Sequence, residues 1–118
     1  MTRVIVESPF AGDVDRNIQY ARRCLRDCIL RGESPIASHL LLTQPGILRD
    51  DVPEEREQGI AAGLDWYEVA DRCVAYIDHD VSDGMRRGIE RARWWGVPIE
   101  ERRIGVEVSW PVVDEPVP

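Results

Sequence analysis

Arg3-Val4-Ile5-Val6-Glu7 is a short β-branched run that breaks into Ser8-Pro9-Phe10-Ala11-Gly12. Consecutive Val and Ile suit a strand covered on both faces, and the Pro and Gly after it suit a turn. A strand of that kind needs helices above and below it, and the sequence supplies them. From Asp13 to about Arg31, Val14, Ile18, Ala21, Leu25, Cys28 and Ile29 recur at intervals of three and four. That spacing predicts a helix, opened by Asp13 and stopped by Gly32.

The same alternation continues outward. Ser34 to Leu40 reads as a second strand with His39 at its end, and 41–52, with Gln44-Pro45-Gly46, as an irregular excursion. Pro53-Glu54-Glu55-Arg56 suits a helix's first turn, where proline lacks an unneeded N–H and acids face the positive dipole end. That helix is expected to run to about Ala70, with Ile60, Leu64 and Tyr67 inward, while Gly59 and Gly63 leave a smooth place for another backbone. Arg72 to Ile77 is a third strand leading into Asp78-His79-Asp80. Ser82 or Asp83 then caps a third helix with Met85, Ile89 and Ala92 inward, stopping near Gly96. Arg103 to Ser109 is expected to form the last strand, and residues 111–118, with Pro111, Pro116 and Pro118, a proline-rich tail.

Strand–helix alternation implies a parallel sheet with right-handed crossovers. The expected class is α/β, a Rossmann-like (flavodoxin-like) three-layer sandwich with a mostly parallel sheet of four or five strands, formed as a single domain over residues 1–110. Ligands in such sheets sit beyond the carboxyl ends of the strands. Three segments should therefore converge there: Glu7 to Asp13, Ser38-His39, and Asp78 to Met85.

Composition narrows the partners. With 118 residues, 22 acidic against 15 basic groups and a net charge of -7, the chain lacks the basic surface on which nucleic-acid binding depends. All of the basic residues are arginine. No apolar run approaches the ~20 residues of a membrane span, and the first residues lack a secretory pattern, so a cytoplasmic protein without membrane contact is expected. Cys24, Cys28 and Cys73 read as reduced thiols, and His39 and His79 stand far from any zinc-binding cysteine pair, so no metal or other cofactor is expected.

Each loop admits a functional and a plain reading. The first has no G-x-G-x-x-G and no Walker pattern. Ser8 and Gly12 could present a hydroxyl and backbone amides to a ligand, with Phe10 as a stacking surface and Arg16 and Asn17 nearby, or the segment is an ordinary capped turn. His39 could bond a base or sugar, or be satisfied by backbone. Ser82-Asp83-Gly84 opens a helix whose free N–H groups can receive a phosphate or sugar oxygen, though capping alone would explain Ser82 and Asp83. Asp78, a carboxylate at the mouth of a buried strand, needs a partner or a role. Glu90, one turn after Arg86, is a candidate nucleophile or a surface ion pair. Trp94 and Trp95 cannot both face one core, so one of them covers a partner subunit or the two form an amphipathic helix end.

Glu7-Ser8-Pro9-Phe10-Ala11-Gly12, Leu64-Asp65-Trp66-Tyr67-Glu68-Val69-Ala70-Asp71, and Ser82-Asp83-Gly84-Met85 with Gly88 and Gly96-Val97-Pro98 resemble the nucleoside 2-deoxyribosyltransferase-like superfamily. Closer still, the run from Glu7 to Pro98 resembles a family of small domains of unassigned function found in actinobacteria and their phages. In the superfamily's enzymes a glutamate on the helix after the third strand attacks or stabilises the anomeric carbon while the base departs, and an aspartate at a strand end orients it. The resemblance puts Asp78 at the orienting position and Ser8 and Ser82-Asp83-Gly84 at the segments that hold the sugar or a 5′-phosphate. It also implies at least a homodimer. The nucleophile does not carry over: the enzymes' Gly-Met-Glu-Leu-Gly is here Gly84-Met85-Arg86-Arg87-Gly88. Two readings follow. One is an N-glycosidic enzyme, a hydrolase or deoxyribosyltransferase acting on a small nucleoside or nucleotide, with Glu90 at the anomeric carbon and Asp78 orienting it. The other is a non-catalytic nucleotide-binding or regulatory protein with Arg86 as an anion clamp.

Overall fold

The computed structural model describes residues 1–105. Four strands, β1 (Arg3–Glu7), β2 (Ser34–Ile36), β3 (Arg72–Tyr76) and β4 (Ile99–Arg102), form one all-parallel sheet in the order β2-β1-β3-β4. The helices are α1 (Val14–Leu30), the single turn α2 (Ser38–Leu41), α3 (Pro53–Asp65) and α4 (Asp83–Trp94), with a 3-10 turn at Trp66–Glu68 after α3. The α/β three-layer architecture is the one expected. Among the described residues, no helix is long and apolar enough to cross a membrane.

Side-chain alternation along the central strands divides the core in two. Val4, Val6, Val74 and Tyr76 face α1, where Tyr20, Cys24 and Cys28 meet them. Ile5 and Cys73 face the other way and pack with Tyr67, Ala92, Leu64 and Ile89. The layer of α3 and α4 is tied together at its surface by Arg87, whose guanidinium donates to both carboxylate oxygens of Glu57 at 2.9 Å.

Four details depart from expectation. The buried face of α1 is Asn17, Tyr20, Ala21, Cys24 and Cys28, while Val14 and Ile29 are exposed, so the stripe is turned toward the tyrosine. Pairing of β2 with β1 ends at Ile5↔Ile36. Although β1 continues to Glu7, the chain leaves the ladder there: residues 38–41 coil into α2, and His39 stands on a helical turn rather than at a strand end. Helix α3 stops at Asp65, short of Ala70. The last strand is Ile99–Arg102, because β3 offers partners only from Cys73↔Ile99 to Tyr76↔Arg102. Residues 103–105 lie outside that strand, and 106–109 and the tail lie outside the described residues. Trp94 and Trp95 are both exposed, with Arg91 stacked 5.1 Å over the Trp94 ring.

The strand order fixes where a ligand crevice can form. The chain leaves β1 toward β2 over the α1 face and returns past β1 to β3 over the opposite face. The direction of winding therefore reverses between β1 and β3, and the carboxyl ends of those strands leave a gap.

Candidate functional site

Glu7 closes β1 on the same face as Ile5, beneath α3 and α4. The Tyr67 hydroxyl, just past the end of α3, donates to its Oε2 at 2.6 Å. On α4 the position opposite is Gly88, where a Cβ would come within 2.1 Å of that oxygen. The glycine thus makes room for the carboxyl. Burial pushes the Glu7 carboxyl up to about 8, against the Tyr67 hydrogen bond, which favours the ionised form.

The next residue, Ser8, is buried, and its Oγ lies 2.7 Å from Nε2 of His39. Helix α2 reaches this spot because Gly63 on α3 admits Ser38: a Cβ at Gly63 would lie 2.2 Å from the serine Oγ. Burial pulls the His39 ring down to about 4, so at neutral pH it is uncharged.

Glu7, Ser8 and His39 line a cavity of about 230 Å³. Phe10, Leu42, Leu48, Ile60, Leu64 and Met85 supply apolar walls, and Ser82, Asp83 and Gly84 bring in the start of α4. Ser82 caps that helix by accepting from the Met85 N–H at 3.2 Å. Residues 42–50 and the first turns of α3 form the remaining wall with Thr43, Asp50, Glu55 and Arg56. Asp50 and Arg56 are ion-paired at 3.5 Å, and Glu55 accepts from the Arg49 backbone N–H at 3.1 Å.

Of the residues singled out from sequence, Ser8, Phe10, His39, Ser82, Asp83 and Gly84 come together at this cavity, and Gly12, Arg16, Asn17, Asp78, Arg86 and Glu90 do not line it. Gly12 takes φ +99° in the turn before α1. Asn17 is a brace: its amide donates to the carbonyls of Phe10 and Ala11 at 2.9 and 3.1 Å, and its own oxygen accepts from Arg16. Asp78 points to the α1 side. It accepts from the Tyr20 hydroxyl at 2.5 Å and from the backbone N–H groups of Ile104 and Gly105. Burial raises its pKa, but these hydrogen bonds outweigh it and hold the carboxyl below the usual carboxylate range. The strand's alternation explains this, since Asp78 follows Val74 and Tyr76 in phase. Arg86 is exposed and pairs with Asp83 at 3.5 Å, so no anion clamp is assembled inside the cavity. Glu90 lies on the exposed side of α4.

Glu7 and Tyr67 are the functional candidates that sequence reading passed over. The signal for Glu7 was available: it stands two residues after Ile5, on the face where the glycines of α3 and α4 leave space. Asp50, Glu55 and Arg56 had no comparable signal, because only the folded 42–52 segment brings them to the cavity. Among the described residues, no group of three or more His, Cys, Asp or Glu side chains is arranged to hold a metal ion.

A family described as a domain of unknown function, DUF7768, matches residues 2–102. None of the curated proteins matches the chain. Among solved structures, the fold is similar to that of a 2-deoxyribosyltransferase from Bacillus psychrosaccharolyticus, with TM-score 0.60 and 18% identity over 92% of this chain and 77% of that one. It is also similar to a CMP N-glycosidase from Clostridium botulinum, with TM-score 0.51 and 15% identity over 90% of this chain and 72% of that one.

Proposed function

This chain belongs to the DUF7768 family of domains of unknown function, and we propose that it cleaves or transfers the N-glycosidic bond of a small nucleoside or nucleotide, with Glu7 as the carboxylate at the anomeric carbon. The observation that carries the reading is the placing of Glu7: a buried carboxyl at the β1–β3 gap, held by Tyr67 and facing a cavity lined by Ser8 and His39. Two solved structures of similar fold are a deoxyribosyltransferase and a CMP N-glycosidase.

The chemistry follows from charge. As the bond to the base breaks, positive charge grows on the sugar carbon and negative charge on the base. An ionised Glu7 stabilises the first, by attack or by its field, and water or an acceptor base then completes hydrolysis or transfer. The Tyr67 hydroxyl favours that ionised form, and a cationic sugar nearby lowers the carboxyl's pKa further. The residue matching the resembled enzymes' nucleophile is Arg86, but Gly88, two positions on, leaves space that the strand-borne Glu7 fills. In this reading the reacting carboxylate is supplied by β1 instead of by the helix. Ser8 and the start of α4 hold the sugar, and Phe10 and Leu48 cover the base.

The test is release of free base from a panel of nucleosides and 5′-monophosphates, followed by chromatography. Release that disappears in Glu7→Gln and persists in Glu90→Gln supports the assignment. Release by wild type that is undiminished in Glu7→Gln removes Glu7 from the mechanism, and no release from any member, with or without an acceptor base, removes the activity.

A further inference from the structure

The cavity's charge points to a substrate class, and this step rests on the reading just given. Three carboxylates besides Glu7 line it: Asp50, Glu55 and Asp83. Among the described residues the lining holds one guanidinium, that of Arg56, already paired with Asp50 at 3.5 Å. His39 adds no positive charge, since burial holds its ring neutral. Residues 106–118 contain no basic side chain at all.

The start of α4 would otherwise be the natural seat for a phosphate, through its free N–H groups and positive dipole end. Here that end already carries a carboxylate of its own, Asp83 at the first helical position, and Ser82 is occupied in capping the Met85 N–H. The nearby cation, Arg86, is drawn to Asp83 on the exposed side. With Asp50 and Arg56 counted as a pair, the described lining still carries Glu55 and Asp83 with no cation of its own to balance them, so a phosphate entering the cavity would meet net negative charge. A positively charged ring would meet the same carboxylates as attractive neighbours, against apolar walls that suit a flat base.

We propose that Asp50, Glu55 and Asp83 make this cavity select phosphate-free nucleosides, and among them those whose base carries a positive charge, such as N-methylated purines or pyrimidines. A cationic base leaves as a neutral molecule: the electron pair of the glycosidic bond goes to the ring and cancels its charge, and no proton donor is needed. That suits a site whose histidine is neutral and whose glutamate is engaged at the sugar.

The experiment is a binding titration of the intact chain by calorimetry, run beside the base-release assay. The probes are guanosine, adenosine and cytidine, their 5′-monophosphates, and 7-methylguanosine, 1-methyladenosine and 3-methylcytidine. For any base that is accepted, the nucleoside should bind roughly tenfold or more tightly than its monophosphate, and the methylated cation tighter still, as close unscreened charges imply. Asp83→Asn and Asp50→Asn should each narrow the nucleoside-to-monophosphate ratio by about threefold or more. Monophosphates that bind as well as nucleosides, or better, overturn the proposal, as does failure of every probe to bind. Base release from monophosphates alone would sink this inference and leave the glycosidic reading standing. Cationic nucleosides that bind tightly but stay intact would do the reverse.

Discussion

Glu7 and Asp78 are two carboxyls at the ends of neighbouring parallel strands, and the protein treats them oppositely. Asp78 faces α1 and is surrounded by donors: the Tyr20 hydroxyl and the backbone N–H groups of Ile104 and Gly105. Its charge is fully used in fastening the chain after β4 to the sheet. Glu7 faces α3 and α4, has the Tyr67 hydroxyl as a donor, and looks into a cavity. Hydrogen bonds lower the first pKa and burial raises the second. A carboxylate saturated with donors holds structure, whereas one left short of them beside an open volume is available for chemistry.

The sharpest way to break the comparison is to exchange the consequences of losing each group. Glu7→Gln keeps the shape and should reduce base release by about a thousandfold or more, as loss of a reacting carboxylate does. Gly88→Ala should approach that deficit by a different route, because its Cβ would stand 2.1 Å from Oε2 and must displace the carboxyl. Asp78→Ala should instead cost roughly 2–3 kcal/mol of stability in urea unfolding, since it removes the carboxylate that accepts from the Tyr20 hydroxyl and from the N–H groups of Ile104 and Gly105, and should leave turnover nearly unchanged under conditions where the protein is folded. If Asp78→Ala abolished turnover with stability intact, the division of labour would be reversed.

Acidity sharpens the same contrast. Between its ordinary value near 4.5 and about 8, Glu7 is neutral when folded and ionised when unfolded. Folding then takes up a proton, so this group's contribution to stability falls by up to about 1.4 kcal/mol per pH unit as pH rises through that window. Glu7→Gln should lose that slope and be more stable than wild type at pH 8. Activity should run the other way, with kcat/KM rising toward pH 8 as the reactive carboxylate forms. His39 acts with opposite sign. Its ring is neutral when folded down to about 4, while the unfolded ring takes up a proton near 6.5, so it costs stability as pH falls between those values. Thermal melts of Glu7→Gln and His39→Gln across pH 4–8 separate the two slopes.

How much of this was legible in the sequence depends on range. Strands β1 and β3, α1 with its Asp13 cap, and the Ser82 cap of α4 rest on local periodicity and local hydrogen bonding, and they stand where the pattern put them. Strand ends were less legible: β4 stops where its partner β3 stops, and β2 leaves β1 two residues before β1 ends as the chain turns into α2, neither of which is a local property. The last strand, expected over Arg103 to Ser109, stands earlier, at Ile-Glu-Glu-Arg, which lies at the sheet edge among the described residues and reads as polar. Asp78 attracted attention as a charge at a strand mouth, yet its phase with Val74 and Tyr76 already assigned it to the α1 face. Glu7 was placed at the crevice by the end of its strand, but nothing local showed that Tyr67 and Gly88, sixty and more residues away, would hold its carboxyl there.

Arg86 and Glu90 give the smallest effect and the most discriminating control. Both lie on the outer side of α4, where Arg86 pairs with Asp83 and an exposed helix ion pair of this kind contributes roughly 0.3–0.5 kcal/mol. Arg86→Ala and Glu90→Gln should therefore each shift stability by no more than about 0.5 kcal/mol and turnover by less than about twofold. The Arg86 change carries a second reading, because it releases Asp83 from its ion pair at the cavity rim. With that carboxylate freed, discrimination against 5′-monophosphates should widen slightly. An arginine that gripped phosphate would give the opposite sign, with monophosphate binding weakened while nucleoside binding stayed constant. The direction of that small change, measured in one titration pair, tells whether α4 meets its ligand through Asp83 or through Arg86.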